Sequence, residues 1–117
     1  MTNSKRLKIL VVDKKLNYCE YFNGFRKNKF TINSSKNILK YSEEELKEVG
    51  VFFIVLYEPR DIIQIVKLAP ISKSIIIGTR NNRIFTSFQT IEDYPIVDLS
   101  SKFSIVSNLL LALTRFN

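Results

Sequence analysis

The residues best placed for chemistry follow apolar runs, and the first of them is a single acid. Asp13 comes directly after KILVV and is followed by Lys14 and Lys15. Later runs are followed by four further polar residues: Tyr57, Glu58, Thr79 and Lys102. A Mg²⁺ ion prefers hard oxygen ligands in near-octahedral geometry, and one or two carboxylates usually supply them. A single acid followed by two lysines supplies fewer carboxylate ligands than such a site usually has.

Lys14 makes Asp13 a poor ligand for a metal. Its ammonium group would repel a cation bound to Asp13, since two unit charges about 4 Å apart repel by roughly 4 kcal/mol at an effective dielectric of about 20. That energy weakens binding by more than roughly two orders of magnitude. We therefore expect no bound metal and no cofactor at Asp13.

Other catalytic patterns are missing from the sequence. It contains neither G-x-G-x-x-G nor G-x-x-x-x-G-K-[ST], and the turn DKKLN has no glycine to approach a phosphate. There is no histidine, which removes the commonest general base, and the single cysteine, Cys19, is predicted to be a small core residue. These features predict a protein that is not an enzyme.

Five short apolar runs predict the strands that position these residues. They cover residues 7–12, 30–33, 51–57, 74–78 and 95–99. The first, third and fourth runs are apolar throughout, which is typical of central strands covered on both faces. The second alternates with polar residues and the fifth is short, so both are predicted at sheet edges.

Helical patterns lie between the predicted strands. Apolar residues recur at three- and four-residue spacing from residue 15 to about residue 27. Ser42 and Glu45 have the spacing of a capping box, and Gly50 is predicted to stop that helix in the left-handed conformation. Pro59 fits the first turn of a third helix, which ends before Pro70. Two further helices are predicted, over residues 84–91 and from about 101 to 116.

Strands that alternate with helices predict a parallel sheet with helices on both faces and right-handed crossovers. The strand compositions favour the order 2-1-3-4-5, so the expected architecture is a flavodoxin-like three-layer α/β sandwich. In such a sheet, ligands bind beyond the carboxyl ends of the strands, where residues 13–15, 57–58 and 78–80 should lie. With 117 residues, the whole range 1–117 is predicted to be one domain.

Composition places the chain among ordinary globular proteins. Hydrophobic residues make up 45% and charged residues 25%, with three glycines and three prolines. No stretch reaches the roughly 18 apolar residues of a membrane span. The start, MTNSKRLKIL, lacks the apolar region of a signal peptide, so a cytoplasmic location is predicted.

The order of these motifs resembles the receiver domain of bacterial two-component response regulators over nearly the whole chain. Asp13 matches the first of two acids that bind Mg²⁺ in that family, Thr79 matches a hydroxyl residue after the fourth strand, and Lys102 matches a lysine after the fifth. The second acidic position is Lys14, and the phosphoacceptor aspartate position falls on Tyr57 or Glu58. The proline that usually follows the lysine is absent here, and the segment between the third and fourth strands is shorter than usual.

With these departures, the resemblance implies a pseudo-receiver that acts as a signalling or scaffold module without phosphorylation. Glu58 either imitates a charged or phosphorylated aspartate paired with Lys102, or caps the helix that starts after it. Thr79 is either a switch residue or a turn former. A lysine, Lys102 or Lys14, is expected to neutralise Asp13 in place of a metal, and Tyr57 is expected to pack.

The resemblance also implies a docking surface formed by the last two helices and the fifth strand, which would bind a protein partner or a second copy of the chain. Its candidate residues are Phe85, Phe88 and Tyr94. The final segment, FSIVSNLLLALTRF, is apolar over more than a one-sided stripe. It is therefore either deeply buried or in contact with another chain.

The positive charge of the chain is concentrated at its start. The net charge is +7, and residues 1–40 hold ten basic and two acidic residues, a net charge of +8. This asymmetry supports an alternative function, in which the basic N-terminal third binds nucleic acid or another anionic surface. The aromatic-and-basic strand pattern and recognition helix of common nucleic-acid modules are missing. A lysine-rich solvated face is the other interpretation.

Overall fold

The apolar runs of the sequence form five strands, which helices separate along the chain. A computed structural model describes residues 7–25, 30–89, 94–100 and 105–114. The strands are β1 (Leu7–Val12), β2 (Phe30–Ser35), β3 (Val51–Leu56), β4 (Ile75–Thr79) and β5 (Ile96–Asp98). The α-helices are α1 (Glu43–Lys47), α2 (Ile63–Leu68), α3 (Asn82–Gln89) and α4 (Ile105–Thr114). Two 3-10 helices cover Cys19–Phe25 and Pro59–Ile62.

The strands pair in the order β2-β1-β3-β4-β5, and all four pairs are parallel. This confirms the flavodoxin-like α/β sheet that the strand compositions predicted. The register places Val12 opposite Ile54 and Thr79 opposite Leu56. The carboxyl ends of β1, β3 and β4 therefore meet along one edge of the sheet.

Two hydrophobic clusters cover the two faces of the sheet. On one face, Phe53 and its neighbours pack against Phe22 and Leu109, so the first 3-10 helix and α4 cover it. On the other face, residues such as Ile54 and Ile77 pack against α1, α2 and α3. All six residues of β3 are buried. Burial on both faces explains why the central strands are apolar throughout rather than alternating.

The first predicted helix is shorter than expected and is not an α-helix. A 3-10 helix begins at Cys19, whereas the periodicity predicted an α-helix from residue 15. Three backbone N–H groups, those of Lys15, Asn17 and Tyr18, donate to the Asp13 side chain instead of entering a helix. Cys19 is only half-buried, which corrects its assignment to the core.

The predicted capping box of α1 is confirmed. Glu45 N–H donates to Ser42 Oγ at 3.1 Å, and Ser42 N–H donates to Glu45 Oε1 at 2.9 Å. The prediction for Gly50 is wrong, because this residue does not have a positive φ. Its N–H donates to the Lys8 carbonyl oxygen at 2.8 Å, which makes Gly50 the entry to β3.

The segment after β3 follows the prediction closely. Pro59 is the first residue of the 3-10 helix, which leads into α2, and α2 ends at Leu68, short of Pro70. Strand β4 runs one residue beyond its predicted end, so Thr79 is its last residue. Within the ranges that the structure describes, no helix has the length and apolar character needed to cross a membrane.

Candidate functional site

Asp13 lies at the carboxyl end of β1 and is 1% exposed. Its carboxylate accepts three backbone hydrogen bonds, from Lys15 at 3.0 Å, Asn17 at 2.9 Å and Tyr18 at 3.0 Å. The hydroxyl of Tyr57 donates a fourth hydrogen bond to Oδ1. Both carboxylate oxygens are therefore occupied by donors of the protein itself.

The loop after β1 is shaped so that its N–H groups point at this carboxylate. Leu16 N–H donates to the Asp13 carbonyl oxygen at 3.0 Å and closes a turn. Leu16 then adopts a φ of 52°, in the left-handed region, which costs a residue with a side chain about 1–2 kcal/mol. This conformation directs the next two N–H groups back toward Asp13. Favourable hydrogen bonds to a buried charge offset the strained backbone.

Tyr57 has a more specific role than the packing role predicted for it. Burial, together with the hydrogen bond to Asp13, holds the pKa of its phenol far above its ordinary value of 10.0. The phenol therefore stays protonated and donates to the carboxylate. The ammonium of Lys15 lies 4.7 Å from the ring centre of Tyr57, which adds a cation–π contact.

Lys14 does not pair with Asp13. Its Nζ lies 2.5 Å from Glu58 Oε2 and 2.9 Å from Asp61 Oδ1. The alternative in which Lys14 neutralises Asp13 is therefore wrong, because two other carboxylates hold the ammonium group. Lys102 and the residue after it lie outside the described residues, so the pairing of Lys102 with Asp13 or Glu58 stays a prediction.

Asp61 is the member of the network that sequence reasoning missed. Its Oδ2 accepts N–H groups from Tyr57 at 2.8 Å and Glu58 at 3.0 Å, so it caps the junction between β3 and the following 3-10 helix. The signal was present, since an acid three residues after the N-cap Glu58 has the spacing of a capping box. Glu58 itself binds Lys14 and Arg60, with Arg60 Nε at 2.8 Å.

Mutual hydrogen bonds keep this network charged. The bond to Glu58, and then the bond to Asp61, raise the pKa of Lys14. The bonds from Lys14 and Arg60 lower the pKa of Glu58. Burial works to raise the pKa of Asp61, but the Lys14 ammonium and the two backbone N–H groups outweigh it and lower that pKa. At neutral pH, Lys14, Glu58 and Asp61 are ionised and paired with one another.

Acid should weaken this network to an extent that depends on Lys14. The folded-state pKa values of Glu58 and Asp61 lie below their ordinary values of 4.5 and 3.8. The contribution of these groups to stability is therefore complete above those ordinary values and is lost as the pH falls through the lowered folded-state values. In Lys14→Met, we expect the free energy of unfolding to decline less than in the unchanged protein between about pH 5 and pH 2.

Urea denaturation at a series of pH values measures that decline. Lys73→Met is the matched control, because Lys73 is exposed and precedes β4 at the opposite edge of the sheet. An acid decline that is the same in Lys14→Met and Lys73→Met would contradict the prediction.

Thr79 is completely buried at the end of β4. Its Oγ1 donates to the Leu56 carbonyl oxygen at 2.6 Å and accepts the N–H of Asn81 at 3.0 Å. Asn81 Oδ1 in turn accepts N–H groups from Arg83 and Ile84 at the start of α3. Of the two interpretations of Thr79, this geometry favours the turn former, because the hydroxyl joins β3 to the turn before α3.

Removing this hydroxyl should destabilise the protein without changing the volume of the side chain much. In Thr79→Val, the Leu56 carbonyl and the Asn81 N–H lose their partner, and we expect unfolding to require about 1–3 kcal/mol less free energy. Thr79→Ser keeps both hydrogen bonds and is the control, with a smaller loss from the missing methyl group. Chemical denaturation compares the two variants; equal losses would contradict the role assigned to the hydroxyl.

The residues at this edge do not fit the Mg²⁺ ion that the receiver resemblance implies. The carboxylate oxygens of Asp13 accept four hydrogen bonds, and the position of the second acid carries the Lys14 ammonium. Within the described ranges, no three His, Cys, Asp or Glu residues are grouped so that they could hold a metal. A hard cation here would have to displace protein donors from a buried carboxylate.

A cleft of about 260 Å³ opens beside the network, between the loop after β2 and the start of α2. It is lined by Val12, Lys14, Lys36, Asn37, Val55, Asp61 and Gln64. Gln64 Oε1 accepts the N–H of Ile38 at 3.2 Å, which ties the loop to α2. Sequence reasoning did not identify Lys36, Asn37 or Gln64, because a loop and a helix far apart in the chain bring them together.

The three residues predicted for the docking surface are half-buried, and their role in docking stays a prediction. Phe88 and Tyr94 are half-buried against the cluster that covers α2 and α3, and Phe85 is half-buried on α3. In α4, Ile105, Leu109, Ala112 and Leu113 are buried, and Leu111 is 69% exposed. Of the two interpretations of the final helix, burial accounts for four of the five apolar side chains that the structure describes in α4.

Comparison with known proteins supplies no relative from which a function could be transferred. No protein-family model matches the chain, and no curated protein is similar to it. The fold and the contacts of Asp13, Lys14, Tyr57, Glu58 and Asp61 are therefore the basis for a functional proposal.

Proposed function

We propose that the chain is a pseudo-receiver, a receiver-like module that binds a protein partner without being phosphorylated. The observation that carries the proposal is the closed network at the carboxyl edge of the sheet. Asp13 is held by backbone N–H groups and Tyr57, and Lys14 is held by Glu58 and Asp61. The resemblance implies a metal ion and an acceptor aspartate at this same edge.

Phosphoryl transfer depends on positioned metal ions and an available nucleophile. At the acceptor position, Tyr57 offers a phenol whose pKa is raised by burial and by its bond to Asp13, so it is a poor nucleophile. Glu58 offers a carboxylate that already binds Lys14 and Arg60. Neither Tyr57 nor Glu58 is therefore an available nucleophile for phosphoryl transfer. This supports a function that does not require phosphorylation.

The same contacts support a fixed conformation rather than a switched one. In the receiver family, the residue at the position of Thr79 responds to a phosphoryl group, as the resemblance implies. Here the Thr79 hydroxyl is committed to Leu56 and Asn81 inside the protein. In this proposal the module has a single conformation and always exposes the same binding surface. The amount of complex then depends on the concentration of the partner.

Incubation with acetyl phosphate and Mg²⁺, followed by intact-protein mass spectrometry, tests the proposal. We expect no phosphoryl mass shift, while a phosphorylatable receiver in a parallel reaction acquires one. Titration of Mg²⁺ in a calorimeter should give no binding heat. A mass shift that disappears in Glu58→Gln or Asp13→Asn would refute the pseudo-receiver function.

Two of the described lysines in the basic N-terminal third are paired with acids, which reduces the charge available to the alternative, binding of nucleic acid or an anionic surface. Lys8 pairs with Glu48 at 3.7 Å, and Lys14 is held by two acids. Lys15 and Lys40 lie over the rings of tyrosines, where they keep their positive charge. The alternative requires retention on DNA or RNA at about 50 mM salt with a steep loss as salt rises.

A further inference from the structure

Three aliphatic side chains are exposed on two neighbouring segments beside the cleft. Leu39 is 69% exposed, Ile63 is 48% exposed and Val66 is 58% exposed. Ile63 and Val66 are three residues apart on α2 and therefore share a face of the helix. The hydrogen bond between Ile38 N–H and the Gln64 side chain holds the loop that carries Leu39 against the same helix.

Lysines lie close in sequence to these aliphatic residues, both in the loop after β2 and on α2. We call the set the loop–α2 surface: Leu39, Ile63, Val66, Lys36, Lys40 and Lys67. All three lysines are exposed, and none takes part in an ion pair within the described part of the chain. The surface therefore combines exposed apolar groups with positive charge that is not neutralised.

Single exposed aliphatic residues are ordinary, but a group of them with a charged rim marks an interaction surface. We propose that the loop–α2 surface docks an acidic amphipathic segment of another protein. The proposal rests on the proposed function, in which the chain acts by binding a protein. The apolar stripe of the segment covers Leu39, Ile63 and Val66, and its carboxylates face the lysines.

The cleft next to this surface gives the partner an anchor. Its volume of about 260 Å³ accommodates a single side chain, and Lys36, Asn37 and Gln64 provide polar groups along its wall. The Asp61 carboxylate also lines the cleft, but the Lys14 ammonium at 2.9 Å compensates its charge. A glutamate of the docked segment would place its carboxylate beside Lys36 there. Charge complementarity of this kind raises the association rate and fixes the orientation of the partner.

Two other occupants fit the surface less well. Phosphates of a nucleic acid would pair with the lysines but would leave the three aliphatic side chains without apolar contact. A second copy docked symmetrically would bring the same lysines together. The acidic helix α1 of a second copy is a poor occupant too, because its apolar residue, Leu46, is buried in its own core.

A labelled synthetic peptide of about four helical turns tests the proposal by fluorescence anisotropy with the full chain. Its leucines recur at helical spacing and its other positions are mainly glutamate. One control peptide replaces each glutamate with lysine, and the other scrambles the sequence at constant composition. We expect the acidic amphipathic peptide to bind at least about tenfold more tightly than either control, and its binding to weaken as salt rises.

Matched variants locate the binding site. Leu39→Ser should weaken binding about tenfold, whereas Leu111→Ser, which alters an equally exposed leucine at 69% on α4, should change it less than about twofold. Lys36→Glu should likewise weaken it about tenfold, and Lys73→Glu, at the opposite edge of the sheet, should not. All four side chains are largely exposed, so folding is preserved and can be checked by circular dichroism.

Several results would overturn the proposal. These are tight binding of the lysine peptide, equal losses in Leu39→Ser and Leu111→Ser, displacement of the peptide by an RNA oligonucleotide, and a dimer in sedimentation experiments that Leu39→Ser abolishes. Tight binding of the lysine peptide rejects the preference for acidic partners, and equal losses in the two leucine variants reject the location of the site. Displacement by RNA or a dimer that Leu39→Ser abolishes assigns the surface to a different occupant. A phosphoryl mass shift refutes the pseudo-receiver function instead. No peptide binding together with no mass shift rejects the loop–α2 surface alone.

Discussion

Replacing Asp13 with alanine is expected to lower the free energy of unfolding by about 3–5 kcal/mol, the largest loss among the polar residues of the site. The substitution removes the acceptor of three backbone N–H groups and of the Tyr57 hydroxyl, in a position that is 1% exposed. Stranded buried donors cost more than the net value of the bonds that they lose. The left-handed Leu16 also loses the interaction that offsets its backbone strain.

Asp98→Ala is the control for this prediction. Asp98 is the last residue of β5, whereas Asp13 directly follows β1. Asp98 is half-buried, and among the described residues its carboxylate accepts hydrogen bonds from the N–H and hydroxyl of Ser100. Its replacement should cost less than about 1 kcal/mol. Tyr57→Phe, which removes one of the four donors, should fall between the two variants. Guanidinium denaturation measures all three, and a loss in Asp13→Ala no larger than in Asp98→Ala would contradict the role of Asp13.

Gly78→Ala is expected to be the most damaging change of a single methyl group, with a loss of about 2–3 kcal/mol in the free energy of unfolding. A Cβ at this position in β4 would overlap the Phe53 ring and would lie 3.1 Å from Leu99 Cδ1. Phe53 is fully buried and packs edge-on against Phe22, with 5.2 Å between the ring centres. Moving the ring would therefore disturb its packing against Phe22.

Gly50→Ala provides the comparison. There the added Cβ meets the end of the Leu7 side chain, which is only half-buried and can change rotamer. It also lies 3.2 Å from the Lys8 carbonyl oxygen, a contact that a backbone shift of a few tenths of an ångström relieves. We expect a loss below about 1 kcal/mol, partly offset by the lower entropy of the unfolded chain. Phe53→Leu should restore part of the stability of Gly78→Ala, because it removes the overlapping ring atoms. Similar thermal denaturation midpoints for Gly78→Ala and Gly50→Ala would contradict this account.

Much of the fold was predictable because the burial of a strand determines which of its residues must be apolar. A strand covered on both faces must be apolar at every position, and this alone identified β1, β3 and β4 as central. The weaker runs then had to lie at the edges, which led to the order 2-1-3-4-5 found in the sheet. The capping box at Ser42 could also be predicted from the sequence, because its hydrogen bonds join residues that are three positions apart.

The site was less predictable because its contacts depend on which side chains meet in three dimensions. Lys14 follows Asp13 in the chain, yet it lies in the turn after β1 and binds Glu58 and Asp61 instead. The same competition altered the first helix. Apolar periodicity predicted a helix from residue 15, but the buried Asp13 carboxylate captured the N–H groups that such a helix would have used.

The burial of all six residues of β3 also matters before the chain has folded. The sequence VFFIVL has high β-propensity and neither charge nor proline, which is the signature of segments that form cross-β aggregates. Its partners β1 and β4 come from separate parts of the chain, so the segment stays uncovered until both arrive. Glu48 lies just before it, and Glu58 and Pro59 follow it. Residues that shape the helix boundaries of the folded protein thus also act as gatekeepers against misassembly of the nascent chain.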